Sequence, residues 1–196
     1  MVFHIEGAAK SFKNRTLFQD FDLQLAEGEV KAVIGQNGSG KTSFFRGLVG
    51  EIPMIYKKRV LPDTSAWSFV RPSPMGFFRN LSGIENLKSF SENTDYSGAI
   101  EFLKQMDMSD ILQKPQYQLS MGQNSFLHMS RAFLKPNLRF LIIDEVTAHI
   151  DEQRKQLLFH YLKEKAQNGL AILVSAQEVS QVEQLTNSIV NIGEKP

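Results

Sequence analysis

Cysteine is absent from the sequence, which excludes a disulfide framework and any thiolate metal site. That composition suits a reducing compartment. An excess of charge is missing too: 22 lysines and arginines face 21 aspartates and glutamates, for a formal net charge of +1. Such a balance gives no global attraction to nucleic acid or to an anionic membrane surface. The densest basic cluster, Lys57, Lys58 and Arg59, is short and reads as a solvated loop. Long apolar runs are lacking. The longest, Phe140–Ile143 and residues 170–174, fall far short of the roughly 20 residues that a membrane helix needs. The opening Met-Val-Phe-His-Ile-Glu-Gly holds no basic region followed by a long apolar stretch, so no secretory signal is expected. No internal repeat or low-complexity tract is found. The expectation is a soluble chain whose membrane role, if it has one, comes through a partner. The 196 residues, 42% of them hydrophobic, suffice for one globular domain with a core and a side lobe.

Residues 2–5 and 23–25 read as strands of a half-buried sheet, joined through the turn-rich Lys13-Asn14-Arg15. Val30–Ile34 is a short apolar strand that ends at a glycine loop, and a helix follows at 42–49. Residues 51–75 carry Pro53, Pro62, Pro72 and Pro74, which predicts irregular chain with one strand at 68–70. From about Ile84 to Phe133 the pattern is helical. Ile100, Leu103 and Met106 share one face; Phe126, Met129 and Phe133 share another. Then come a strand at Phe140–Ile143, a helix at 153–165, a strand at 170–174, a helix at 178–186 and a strand at 189–192. Short apolar strands alternating with helices predict an α/β fold with a parallel sheet covered on both faces. The helical stretch interrupts this alternation and predicts a separate lobe.

Gly35-Gln36-Asn37-Gly38-Ser39-Gly40-Lys41-Thr42 matches G-x-x-x-x-G-K-[ST], and Ser43 follows it. Glycines let backbone N–H groups wrap phosphate, and the next helix offers its positive N-terminal end. Gly35, Asn37, Gly38, Ser39 and Gly40 form the candidate cradle. Lys41 is placed for the β- and γ-phosphates, and the Thr42 hydroxyl for Mg²⁺. The competing reading is a glycine turn that happens to precede a lysine; the strand before and the helix after speak against it.

Phe140-Leu141-Ile142-Ile143-Asp144-Glu145 puts two carboxylates at the carboxyl end of a buried strand. In a parallel sheet that edge is where ligands sit. Asp144 suits Mg²⁺, directly or through water, and Glu145 suits a general base that polarises the attacking water. Taken alone, a strand exit with solvated acids is an equal alternative. The phosphate loop upstream tips the balance.

Leu119-Ser120-Met121-Gly122-Gln123 resembles the LSGGQ signature of ABC ATPases, with Met121 in place of the third residue. Gln123 lies 21 residues before Asp144, similar to the family's spacing, and a helix is predicted at 124–134. Here Ser120 and the N–H of Gly122 can approach a γ-phosphate beside a helix N-terminus. The resemblance covers essentially the whole chain. It implies a P-loop NTPase core of RecA type with a small antiparallel β subdomain at 1–75 and 136–196, and a helical lobe at about 76–135. It implies binding of ATP with Mg²⁺, through Phe12, the residues at 35–43, Ser120, Gly122 and Gln123. It implies a head-to-tail pairing with an identical or related ABC ATP-binding chain, in which the signature meets nucleotide held opposite. The further partner it implies is an integral membrane transporter subunit, which would hold this chain peripherally on the cytoplasmic face of the cell membrane.

Phe12 sits where the family stacks an aromatic ring on adenine; a place in the core of the small sheet is the competing reading. Asn80-Leu81-Ser82-Gly83-Ile84-Glu85-Asn86-Leu87 is similar to the segment that opens the family's helical lobe. The length and this segment are similar to compact exporter subunits, including the haem-exporter ATPase of cytochrome c biogenesis. Nucleic acid is not an expected partner: no long heptad insertion separates Lys41 from Ser120, and no basic tract occurs.

Three departures from the family pattern bear on turnover. Ser73, inside Arg71-Pro72-Ser73-Pro74, stands near the usual glutamine that senses Mg²⁺ and water. Arg71 could bring a cation near the phosphates, or face solvent. Ala176 stands where a histidine usually contacts the γ-phosphate, and a methyl group donates no hydrogen bond. Val146 replaces a usual proline, and Ala148-His149 a usual small pair. An exposed loop histidine is favoured for His149 over one that reaches the shared site. Slow hydrolysis by Glu145 and Lys41 is therefore expected; the alternative is a nucleotide-gated regulatory subunit with a degenerate site. His4, His128 and His160 show no metal-ligand spacing, and Met106, Met108, Met121 and Met129 read as core filler or helical-lobe packing.

Overall fold

The computed structural model describes residues 1–12, 15–71, 76–90 and 95–193. In chain order the regular elements are β1 (Phe3–Phe12), β2 (Arg15–Leu25), β3 (Val30–Ile34), α1 (Lys41–Leu48), β4 (Lys58–Val60) and β5 (Trp67–Val70). They continue as α2 (Gly83–Ser89), α3 (Ser97–Gln105), α4 (Met121–Ser130), β6 (Phe140–Ile143), α5 (Glu152–Gln167), β7 (Ala171–Ala176) and β8 (Ile189–Asn191). Five strands form a parallel sheet in the order β5-β6-β7-β3-β8, and an antiparallel sheet runs β2-β1-β4.

Side chains alternate between the two faces of the parallel sheet, as the pleat requires. Ile34, Ile143, Ile172 and Val174 enter one core; Val33, Phe140, Ile142 and Leu173 enter the other. The second core is closed by Phe44, Phe45 and Leu48 of α1 and by Phe3, Ile5 and Leu25 of the antiparallel sheet. The first is closed by Phe102, Leu103, Phe126, Leu158 and Leu162, so the helical stretch shares one continuous core with the sheet.

Several elements differ from the sequence expectation, each for a physical reason. β1 and β2 run well past residues 2–5 and 23–25. Their register shifts three times between Ile5 and Ser11, and Gly7 is left-handed at φ 61°. A register shift turns side chains to the opposite face, and the buried alternation of β1 breaks at Gly7 and Ala8, so no long alternation is written in the sequence. The basic cluster is not a loop: Lys58 and Arg59 belong to β4, an exposed edge strand paired with β1, and lysine suits such an edge. The buried stripe of α3 is Ala99, Phe102 and Leu103, continued by Met106 just past its end, leaving Ile100 partly exposed. Met121 is not core filler, being 64% exposed at the start of α4. The helix expected at 178–186 is a single 3₁₀ turn, Val179–Gln181, followed by turns. The Thr186 hydroxyl donates to the Val30 carbonyl at 2.6 Å, which draws the chain back to the sheet before a helix can continue.

The entry to α2 is fixed by two devices. Ser82 caps the helix in a reciprocal box with Glu85. Asn86, fully buried, accepts from the Phe78 N–H at 2.8 Å and donates to the Leu81 carbonyl at 3.0 Å.

His128 lies on the buried side of α4, edge-on to Phe77 at 5.9 Å, with neither ring nitrogen hydrogen-bonded. Burial, with Arg131 and Arg71 nearby, lowers its pKa to about 4. The folded chain therefore holds this imidazole neutral, while the unfolded chain protonates it near 6.5. The contribution is fully present above pH 6.5 and is lost as pH falls toward 4, by roughly 3 kcal/mol at most. Urea unfolding between pH 7.5 and 4.5 should show His128→Gln with a flatter acid limb than the wild type.

Candidate functional site

The carboxyl ends of β3, β6 and β7 meet at one edge of the parallel sheet. From β3 the chain enters the loop at 35–40, where Gly38 and Gly40 are left-handed at φ 80° and φ 104°. Gly40 is the N-cap of α1, and a Cβ there would also come within 3.1 Å of Leu17 and Phe18. Glycine alone meets both demands. The loop thus turns its backbone outward and aims the positive end of α1 at the cleft.

Lys41 is 5% exposed. Its ammonium folds over the loop and donates to the carbonyls of Gly35 and Gln36. Burial pushes its pKa down, and the charges of Asp144 and Glu145 oppose that shift. The Thr42 hydroxyl donates to Asp144 Oδ2 at 2.6 Å. Asp144 is buried, and its Oδ1 accepts from the Ser175 hydroxyl at 2.5 Å. Glu145 has φ 54°, a left-handed conformation that costs a side-chain-bearing residue of order 1–3 kcal/mol. Its N–H donates to Ser175 Oγ at 2.8 Å.

A cleft of about 470 Å³ opens here, lined by Phe12, Asn37, Gly38, Gly40, Lys41, Thr42, Ser43 and Glu145. Phe12 is 64% exposed, which rules out a place in the core of the small sheet and leaves its ring over the cleft. Gly35 and Ser39 belong to the loop but not to the lining of the cleft. Ser39 Oγ is buried without a hydrogen-bond partner, and a Cβ on Gly35 would meet it at 2.5 Å. Arg15 and Leu17 also line the cleft, and the sequence reading named neither as a site residue. The pairing of Arg15 with Phe12 across the β1–β2 ribbon is what places it there.

The donor set suits a magnesium ion: a hydroxyl and a carboxylate oxygen, both hard ligands, already 2.6 Å apart. Among the described residues no group of three or more His, Cys, Asp or Glu could hold a metal. A divalent ion at Thr42 and Asp144 would therefore complete its shell from phosphate and water, as Mg²⁺ commonly does.

Ser120, Gly122 and Gln123 lie apart from this cleft, in a smaller one of about 240 Å³ shared with His149 and Arg154. Ser120 is the N-cap of α4. Its hydroxyl oxygen accepts from the Gln123 N–H at 3.2 Å, and the Ser120 N–H donates to Gln123 Oε1 at 3.0 Å. Gly122 packs under the loop that follows Glu145: a Cβ would stand 2.7 Å from the His149 carbonyl. His149 is exposed and left-handed at φ 62°.

The departures are placed as follows. Ala176 is 2% exposed and packs in the core with Ile34 and Val182. Arg71 pairs with Glu51 and stacks over Phe69, outside the lining of the nucleotide-loop cleft. Ser73 lies outside the described residues. Ser175 was not singled out in the sequence. Its signal was a polar residue inside an otherwise apolar strand, next to Ala176.

A family model described as ABC transporter matches residues 18–148. The chain is 24% identical to the lantibiotic transport ATP-binding protein SrtF of Streptococcus pyogenes, over 94% of this chain and 84% of that protein. It is 25% identical to the ribose import ATP-binding protein RbsA of Lactococcus lactis, over 96% of this chain but only 42% of that protein. A solved structure of the ATP-binding subunit of an ABC transporter superposes with a TM-score of 0.82 at 18% identity, covering 98% of this chain and 86% of the other. At that identity the likeness establishes the fold: an α/β P-loop core with an antiparallel β subdomain.

Stacking of a base on an aromatic ring is worth about 1–3 kcal/mol. If adenine stacks on the Phe12 ring, Phe12→Ala weakens ATP affinity roughly 5- to 150-fold in equilibrium titrations with a fluorescent ATP analogue, and Phe12→Tyr leaves it nearly unchanged.

Proposed function

This chain belongs to the ABC transporter family, and from that premise we propose that it is the ATP-binding, ATP-hydrolysing subunit of a membrane transporter. The observation that carries the reading is the Thr42–Asp144 hydrogen bond, which joins the phosphate loop to the acidic strand end in one cleft walled by Glu145. The backbone around Gly38 and Gly40 cradles the phosphates, and Lys41 leaves the Gly35 and Gln36 carbonyls to pair with the β- and γ-oxygens. Thr42 and Asp144 would hold Mg²⁺, which when bound would supply positive charge beside the phosphates. Glu145 takes the proton of the attacking water.

The position of Ser120, Gly122 and Gln123 supports a head-to-tail pair. They lie outside the cleft of Lys41, at the N-terminal end of α4, an end suited to a phosphate held by an opposite chain. The mate is an identical or related ABC chain. Closure passes through a lobe at about 76–135 to an integral membrane subunit, and so holds this chain on the cytoplasmic face of the membrane. Among the described residues no helix is long and apolar enough to cross a membrane itself. ATP drives closure by binding the closed pair better than the open one, and hydrolysis removes that preference.

One observation favours a second reading, a nucleotide-gated subunit with weak turnover: the Ala176 side chain is buried in the core and offers the γ-phosphate no donor. Loss of one such donor costs a hundred- to a thousand-fold in rate in comparable sites, or about 3–4 kcal/mol. Steady-state assays of the purified chain, alone and with its membrane partner, separate the two. Turnover at least tenfold above that of Glu145→Gln, with ATP binding retained in both, supports the enzyme; equal turnover leaves only the gated subunit.

A further inference from the structure

One residue holds the backbone on both sides of Glu145. The Glu145 N–H donates to the Ser175 hydroxyl oxygen at 2.8 Å, and the Val146 N–H donates to the Ser175 carbonyl at 3.2 Å. Between them Glu145 stands at φ 54°, a conformation that persists only where the surroundings fix it. The direction of the bonds is forced. An amide N–H can only donate, so Ser175 Oγ accepts there and its single proton must serve another group. That group is Asp144, whose Oδ1 lies 2.5 Å away, while Asp144 Oδ2 accepts from Thr42 at 2.6 Å. Ser175 is fully buried, so water cannot replace either bond.

Strand order puts the residue there. β7 lies between β3 and β6. Val33 pairs with Ser175 and Ile143 with Val174, so the side chain after Val174 falls between the phosphate loop and the two carboxylates.

We propose that Ser175 is a positioning residue for hydrolysis: it fixes the Glu145 backbone and the Asp144 carboxylate as one unit with Thr42. This rests on the reading of Glu145 as general base. Placement of that base matters because an error of about 1 Å can cost a hundredfold in rate. With Ala176 supplying no donor, the carboxylate geometry carries a larger share of the transition-state alignment.

The test uses the full chain with Ser175→Ala, Ser175→Cys and Ser175→Thr. The cysteine variant keeps the volume and replaces the hydroxyl by a weakly bonding thiol. The threonine variant keeps the hydroxyl. Expected are a fall in kcat of about 10- to 100-fold for Ala and Cys, KM for ATP within threefold of wild type, and at least a third of wild-type kcat for Thr. Without nucleotide, amide exchange at residues 145 and 146 should quicken at least tenfold in Ala and Cys but not in Thr. A kcat for Ser175→Cys within twofold of wild type overturns the proposal. So does a loss shared equally by kcat and ATP affinity, or one that Ser175→Thr does not relieve. If wild-type turnover merely equals that of Glu145→Gln, the base reading fails, and the exchange rates alone decide whether Ser175 holds Glu145.

Discussion

The Thr42–Asp144 hydrogen bond spans 102 positions of sequence. Nothing local brings these residues together; the order of parallel strands does. β3 ends in the phosphate loop, β6 ends in the carboxylates, and β7 keeps them one strand apart. A carboxylate 1% exposed is costly unless its oxygens are bonded, and here both are, one to Thr42 and one to Ser175. The same desolvation that makes Asp144 expensive also keeps it fixed where a hard cation would need it.

The two cores hold that edge still. On the side of α1, phenylalanines dominate: Phe44 meets Phe21 at 4.9 Å and Phe18 at 5.8 Å, and Phe3 stacks on Phe140 at 5.4 Å. Each fully buried ring contributes about 1.5–3 kcal/mol relative to exposure. Several such rings outweigh the 1–3 kcal/mol of backbone strain at Glu145. The helix that bears Lys41 and Thr42 is thus pinned by apolar packing, and its N-terminal end remains aimed at the cleft.

The helical stretch adds the capped N-terminus of α4 without adding a core of its own. Phe102, Phe126 and Leu158 merge with Ile143 and Val174 in one cluster. Gly122 rests against the His149 carbonyl, four residues past Glu145. The signature segment therefore touches the loop that leaves the catalytic edge, and a shift in one is felt by the other. Close packing transmits such shifts because it leaves little room to absorb them.

The phosphate loop, the acidic strand end and the signature were legible because each is a contiguous string whose chemistry is local: glycines for φ above zero, a lysine, two carboxylates, a capping serine. The parallel core was legible because strands buried on both faces are apolar without interruption, as in Phe140–Ile143. What the sequence hid was non-local. The length of β1 and β2 depended on register shifts that break the alternation, and β4 formed because β1 offered it an edge. Phe12 read equally as core or as cleft residue until the end of the ribbon left it exposed. Ser175 looked like a stray polar residue in a strand, and only its neighbours on β6 gave it two bonds. Sequence by itself set which backbone shapes and charges were available. Tertiary structure decided which met, since strand order and register fix distances that no short-range pattern encodes.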